Sequence, residues 1–303
     1  MRLGVSLTSA YRAGDPRGGA RWMIERARAA REAGLDSLFI GDHHATPYAY
    51  YQNTPMLGRL LAEWGDNPVG CLFLLPLWNP VLVAEQVGTL ASITRGRFIF
   101  QCAIGGDERQ SSAMGTEFRF RPSAFEEAFD AVQRLLRGET VSGTRRYSFK
   151  DARIGLLPPE PVEYWIGGRA EPAIDRAARM GDGWIADPGL TLEEAKSQLA
   201  YYLERCRLHG RKPSAIAIRR DIYVGESDQE ADETARAVIE RGYRGFSPQA
   251  LSIGGVDKVI GSFRAYAEAG YTDIIVRHIT LDQSKVLASM SRLAGVRKAL
   301  EAA

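Results

Sequence analysis

The chain opens on alternation. Residues 2–7 put Leu3, Val5 and Leu7 on one side, the period of a half-buried strand. The period then lengthens: over residues 19–33 Met23, Ala27 and Ala30 share one face, and Gly34 ends the predicted helix. A short apolar strand at 37–40 runs into Gly41-Asp42-His43-His44. After a tyrosine-rich stretch, ATPYAYYQNTP, the pattern predicts a helix over 55–64, a nearly all-apolar strand over 69–75, a helix over 80–93 and a strand over 97–104. A polar loop at 105–121 leads to a helix over 122–136, where Phe125, Ala128, Phe129, Val132 and Leu136 recur at helical spacing. Residues 138–160 read as an excursion, a hairpin in outline, ending in Pro158-Pro159.

The second half repeats strand and helix more tightly. An apolar run at 162–166 breaks at Gly167-Gly168, and Ala170, Ala173, Ile174, Ala177 and Ala178 then mark one helical face up to Gly181. Strands at 183–187, 215–224 and 272–279 alternate with helices at 192–208, from Ser227 onward, through Val259, Phe263 and Tyr266 to Gly270, and at 283–300; residues 242–255 look irregular. Eight strands, each followed by a helix or an insertion that contains one, predict an α/β chain folded as a closed (β/α)8 TIM barrel. The expected organisation is one domain over 1–303, with insertions near 105–121, 138–160 and 242–255. An open doubly wound sheet would usually carry a GxGxxG turn after its first strand, and this chain has none there.

Composition narrows the function classes. Hydrophobic residues are 45% and charged ones 25%, with a net charge of +2 and no basic run, so nothing points to nucleic acid. No stretch approaches a membrane span or a secretory signal, and the three cysteines are scattered without a CxxC. These features predict a cytoplasmic chain, and with only four histidines no metal site is expected.

In a (β/α)8 barrel chemistry gathers at the C-terminal ends of strands. Gly167, Gly168, Arg169 and Ala170 stand there, between a strand and a helix. Free amides of residues 168–170 and the Arg169 fork would suit a phosphate, although a tight turn alone accounts for paired glycines equally well. His43 follows Asp42, whose carboxylate could orient the ring for proton transfer; His44 reads better as a capping residue. Trp78 could line a flat ligand or simply pack. Of Arg219 and Arg220, one is expected to pair with an acid, and His278 ends the last strand. Cys71 and Cys102 read as small core residues.

Three blocks in order, GDHH at 41–44, LPLWNPVLVAEQVGTLASITRGRFIFQCAIGG at 75–106 and YWIGGRAEPAIDRAARMGDGW at 164–184, resemble the bacterial-luciferase-like monooxygenases. The resemblance covers nearly the whole chain and implies a barrel enzyme that uses reduced FMN and O2 to oxidise a small organic substrate. The FMN would come from a separate NAD(P)H-dependent flavin reductase. The alternative on the same fold is an oxidoreductase transferring hydride with a deazaflavin coenzyme. The resemblance assigns His43 to the reaction centre and Gly168, Arg169 and Ala170 to the cofactor phosphate. It sets a non-proline cis peptide at Cys71-Leu72 under the ring, and it implies a homodimer. Where luciferase carries a reactive cysteine late in strand four, this chain has Ala103, which argues against luciferase's own aldehyde chemistry.

Overall fold

The computed structural model describes residues 1–11 and 14–301. Residues 12 and 13, between the first predicted strand and the first predicted helix, therefore lie outside the described residues. The first half of the chain runs β1 (Arg2–Leu7), α1 (Pro16–Glu32), β2 (Ser37–Ile40), α2 (Asn53–Trp64), β3 (Val69–Leu74), α3 (Pro80–Ile93), β4 (Phe98–Ala103), α4 (Glu108–Ala113) and α5 (Arg121–Leu136). The second half runs β5 (Glu163–Gly167), α6 (Glu171–Met180), β6 (Gly183–Ala186), α7 (Leu192–Leu208), β7 (Ala215–Val224), α8 (Asp228–Glu240), β8 (Leu251–Gly254), α9 (Val256–Ala269), β9 (Asp273–His278) and α10 (Gln283–Glu301).

Local chemistry sets many of these boundaries. Asp15 caps α1 by accepting from the Arg17 amide, with Pro16 supplying a first residue whose missing N–H is no loss. Asn79 and Pro80 do the same for α3. Thr191 and Glu194 form a reciprocal capping box at the start of α7.

The strand order β6-β5-β4-β3-β2-β1-β9-β7, with a further β6–β7 pairing, closes on itself as a (β/α)8 barrel. The pairings of β1 with β9, β3 with β4, β5 with β6, and β7 with β6 and β9 are parallel. A ninth strand was not anticipated. β8 lies in the stretch that looked irregular and pairs with Asp221–Val224 of β7, while Ala215–Ile218 of β7 pairs with β6. At ten residues β7 is long enough to give one edge to two neighbours in turn. The loop at 105–121 also holds more order than its polarity suggested, namely α4 and a short 3-10 turn at Phe118–Phe120.

The chain forms two compact units. One contains β1, α1, most of β2 and everything from Trp165 onward; the other contains Ile40–Tyr164 and the stretch beginning at Ser9. In the first, Ile218, Ile222, Ile274, Val276, Met290 and Leu293 are fully buried. In the second an aromatic file runs from Trp78 through Phe73 and Phe100 to Tyr164 and Phe129, with neighbouring ring centroids 5.1–5.7 Å apart. Each buried aromatic of this kind contributes about 2 kcal/mol through the water it no longer orders.

The excursion at 138–160 forms no strand; a single antiparallel bridge, Val141 to Ala152, makes it an arm rather than a hairpin. Glu127 of α5 gathers the arm by accepting from the amides of Thr144, Arg145 and Arg146. Burial raises the Glu127 carboxyl, but those amides outweigh it and hold the group below its usual range. Tyr147 of the arm donates to the Leu75 carbonyl just beyond β3, and the arm's Leu156 carbonyl rests against Gly88 of α3, in the space a Cβ there would need. Among the described residues no helix is long and apolar enough to cross a membrane.

Candidate functional site

The end of β2 is built around one buried carboxylate. Asp42 Oδ2 accepts from the Leu74 amide at 2.7 Å and from Trp78 Nε1 at 2.8 Å, tying the exit of β2 to the exit of β3. His44 Nε2 lies 3.0 Å from Asp42 Oδ1, but off line for a hydrogen bond, so this contact is an ion pair only when the ring is protonated. His44 also packs edge-on against Trp78, with ring centroids 5.0 Å apart. It belongs to the packing of the strand end.

His43 faces elsewhere. Its ring is only partly buried and meets Tyr50 edge to face at 5.5 Å. Its Nδ1 lies 2.8 Å from Gln110 Nε2 of α4, and its Nε2 has no partner among the described residues. Gln110 Nε2 also donates to Asp107 Oδ2 at 3.2 Å, and Gln110 Oε1 accepts from the His44 amide at 3.0 Å. The Gln110 amide and the Arg109 N–H hold the Asp107 carboxyl below its usual range. Asp42, expected to orient His43, instead serves the backbone and Trp78; the residue on His43 is Gln110.

Register and exposure sort β3 and β4 into two faces. Leu72 and Leu74 share a half-buried face with their partners Gln101 and Ala103. Gln101 is 6% exposed, and its Nε2 meets no acceptor. An apolar floor with one unmatched amide donor fits a flat ring carrying carbonyl oxygens. Cys71 sits on the other face with Phe73, fully buried, and burial together with the Asp42 charge pushes its thiol well up. Of the expected pair, then, only Leu72 offers its side chain to that floor. The peptide bond between them is trans, as is every described peptide bond, so the expected cis bond is absent. Cys102 shares the buried face, and no thiol replaces Ala103.

The turn after β5 differs from its expectation in one respect. The Gly168 amide is already used, donating to the Ile185 carbonyl at 3.3 Å, and the Gly168 carbonyl accepts from Trp184 Nε1 at 3.0 Å. A Cβ on Gly168 would come within 2.8 Å of Ala173, so close packing of the turn accounts for this glycine. Ala170 stands at the N-cap of α6 without a capping side chain, and the amides of Arg169 and Ala170 meet no acceptor among the described residues. These two amides and the half-exposed Arg169 guanidinium, 3.7 Å from Asp187 and 4.0 Å from Glu194, are what this turn could offer an anion.

On β7 the acid-paired arginine is Arg219, which donates to Asp221 at 2.8 and 3.3 Å. Tyr243 donates to the same carboxylate at 2.8 Å. Burial pushes Asp221 up, yet Arg219 and Arg277 outweigh it. Arg220 points to the other side, fully buried, donating to the Leu190 carbonyl and lying 5.1 Å over the Tyr266 ring. His278 is buried, 3.0 Å from Ser289 Oγ, and burial with help from Arg26 lowers its pKa to about 3. A cavity of about 980 Å³ opens at the opposite ends of the strands, beside Met1, Arg2, Asp36 and Thr272, away from these groups of β7 and β9.

Sequence reasoning missed Gln110, Asp107 and Gln101. Asp107 alone left a trace, as an Asp placed to cap a helix: its Oδ1 accepts from the Arg109 amide at 2.9 Å.

A parallel barrel with polar groups collected at its strand ends is a common enzyme frame, and comparison with known proteins identifies which one this is. A profile of the luciferase-like monooxygenases matches residues 1–272, and the chain belongs to that family. An F420-dependent glucose-6-phosphate dehydrogenase of Kribbella flavida is 24% identical over 95% of this chain and 97% of its own length. An F420-dependent hydroxymycolic acid dehydrogenase of Mycobacterium tuberculosis is 26% identical over 69% of this chain and 60% of its own. Among solved structures, the FMN-bound oxygenating constituent of 3,6-diketocamphane monooxygenase from Pseudomonas putida superposes with a TM-score of 0.84. That match is 17% identical and covers 98% of each chain.

Proposed function

We propose that this chain is an F420-dependent oxidoreductase that transfers hydride between the deazaflavin and a small organic substrate. The observation that carries the reading is the match, nearly end to end, with a relative named for F420. Its structural support is the half-buried face of Leu72, Leu74 and Ala103, with the unmatched Gln101 amide beside them. When bound, the deazaflavin supplies a carbon that gives or accepts hydride. Leu72 and Leu74 would seat its ring, and Gln101 Nε2 would donate to one of its oxygens. In the other unit Arg169, with its own amide and that of Ala170, is proposed as an anion site in its own right. His43 would stand at the substrate, with Nε2 as its open ring nitrogen.

Reduced FMN with O2 is the second reading, favoured by the fold shared with an FMN-bound oxygenase. In that case a separate flavin reductase would deliver the cofactor, and a homodimer is the assembly proposed in either case. Anaerobic titration with F420 and with reduced FMN, side by side, separates the two. The expected result is F420 binding at least about tenfold tighter, a difference of about 1.4 kcal/mol. FMN binding tighter, with oxygen uptake above the free-flavin background, would replace this reading by the second.

A further inference from the structure

Gln110 is 5% exposed, and each end of its amide has an unambiguous partner. Its oxygen faces a backbone N–H, that of His44, at 3.0 Å, and such a group can only donate. Its nitrogen faces the Asp107 carboxylate at 3.2 Å, which can only accept while ionised, and Asp107 is held below the usual carboxyl range. Rotating the amide by half a turn would set oxygen against carboxylate and NH2 against N–H. The orientation is therefore determined by chemistry. The second proton of Gln110 Nε2 then points at His43 Nδ1, 2.8 Å away. A nitrogen that receives a hydrogen bond must present a lone pair, so the proton of the neutral ring sits on Nε2.

We propose that Gln110 is a positioning residue that holds His43 as its Nε2–H tautomer, so that His43 gives a hydrogen bond to substrate and does not take a proton from it. This rests on the hydride-transfer reading for its substrate class, though not for the tautomer. A neutral imidazole N–H stabilises a developing enolate by a hydrogen bond but is too weak an acid to give that enolate its proton. The class that fits is a conjugated carbonyl compound. Hydride supplied by the bound coenzyme would add at the β-carbon, forming one C–H bond as the donor's breaks. The alkene pair moves between the α-carbon and the carbonyl carbon, and the carbonyl pair moves onto oxygen. His43 Nε2–H bonds that enolate oxygen and keeps its proton; water then protonates the α-carbon. A simple ketone would end as an alkoxide basic enough to strip that proton, and Gln110, which only donates a hydrogen bond to Nδ1, gives the ring no proton to replace it.

The tautomer is read directly in the full chain, 15N-labelled on histidine and without cofactor, from the long-range imidazole correlations. Wild type should show His43 protonated on Nε2. Gln110→Glu still accepts from the His44 amide, and its second oxygen, set between Asp107 and His43, can only accept from the ring and should put a proton on Nδ1. A wild-type ring protonated on Nδ1, or a folded Gln110→Glu protein with the wild-type pattern, overturns the positioning role; if that variant does not fold, the wild-type spectrum decides. With reduced F420, cyclohex-2-enone should be turned over at least about tenfold faster than cyclohexanone, and Gln110→Glu should lower kcat for the enone about tenfold while its KM changes little. Cyclohexanone as fast as the enone sinks the substrate class. Wild type that shows the expected tautomer but binds no F420 sinks the hydride-transfer reading and the substrate class with it, and leaves Gln110's role standing.

Discussion

His43 follows β2 and His278 ends β9, so both occupy the strand-end position where a barrel keeps its chemistry, yet their surroundings differ in kind. His43 is partly exposed, held at one nitrogen by Gln110 and open at the other. His278 is buried and lies against Ser289, whose hydroxyl also receives the Val224 amide, so it joins α10 to the strands. Position in the fold nominates a residue; what matters next is whether a ring nitrogen is left for a ligand. By that measure His43 is the one open to a ligand and His278 is a packed polar group.

The largest effect that would break the contrast is kinetic. His43→Ala should lower turnover about 100-fold while cofactor affinity stays within a few-fold, as expected when one hydrogen-bond donor to a developing oxyanion is lost. Steady-state rates together with a binding titration check this, and unchanged turnover would leave the two histidines alike. Next comes the frame beneath His43. Asp42→Ala strands the Leu74 amide and Trp78 Nε1 inside the protein and should cost about 3 kcal/mol, read from urea unfolding, because buried donors lose their acceptor.

His278 makes a prediction in pH. The unfolded chain protonates this side chain below about 6.5, whereas the folded ring stays neutral down to about 3. The unfolded state therefore binds more protons between those limits. Stability is fully present above 6.5 and drains away as pH falls toward 3, at up to about 1.4 kcal/mol per unit. His278→Gln should flatten that slope in a series of denaturation midpoints across the window, and an unchanged slope would place the acid sensitivity elsewhere. The smallest effect concerns a third strand end: Arg169→Ala should weaken binding of an anion there about three- to tenfold by calorimetry with phosphate, as for loss of one exposed charged contact.

Strands and helices with a clear period were legible in the sequence almost to the residue: β1, β2, α3, α7 and β7 stand where alternation or helical spacing put them. The exceptions were short or polar. α4, ERQSSA, has no apolar face to betray it, and β8, LSIG, is four residues next to glycine and gains its identity only by lying beside β7. The site divides the same way. A histidine at a strand end can be nominated from sequence, but Gln110 reaches His43 across 67 positions, and no local pattern encodes that. Gly168 shows the converse: a glycine pair suggested open amides, and the ladder to Ile185 had already taken one.

Gly88 carries a consequence beyond its own helix. The arm lies flush on α3 because nothing projects at that position, and the same arm reaches the exit of β3 through Tyr147. One added methyl at Gly88 would act as a wedge under the Leu156 carbonyl, and the displacement would travel along the arm to the loop at Leu75. The mildest substitution in chemical terms, made on the back of a helix, is thus a remote adjustment of the neighbourhood in which Asp42 holds Trp78.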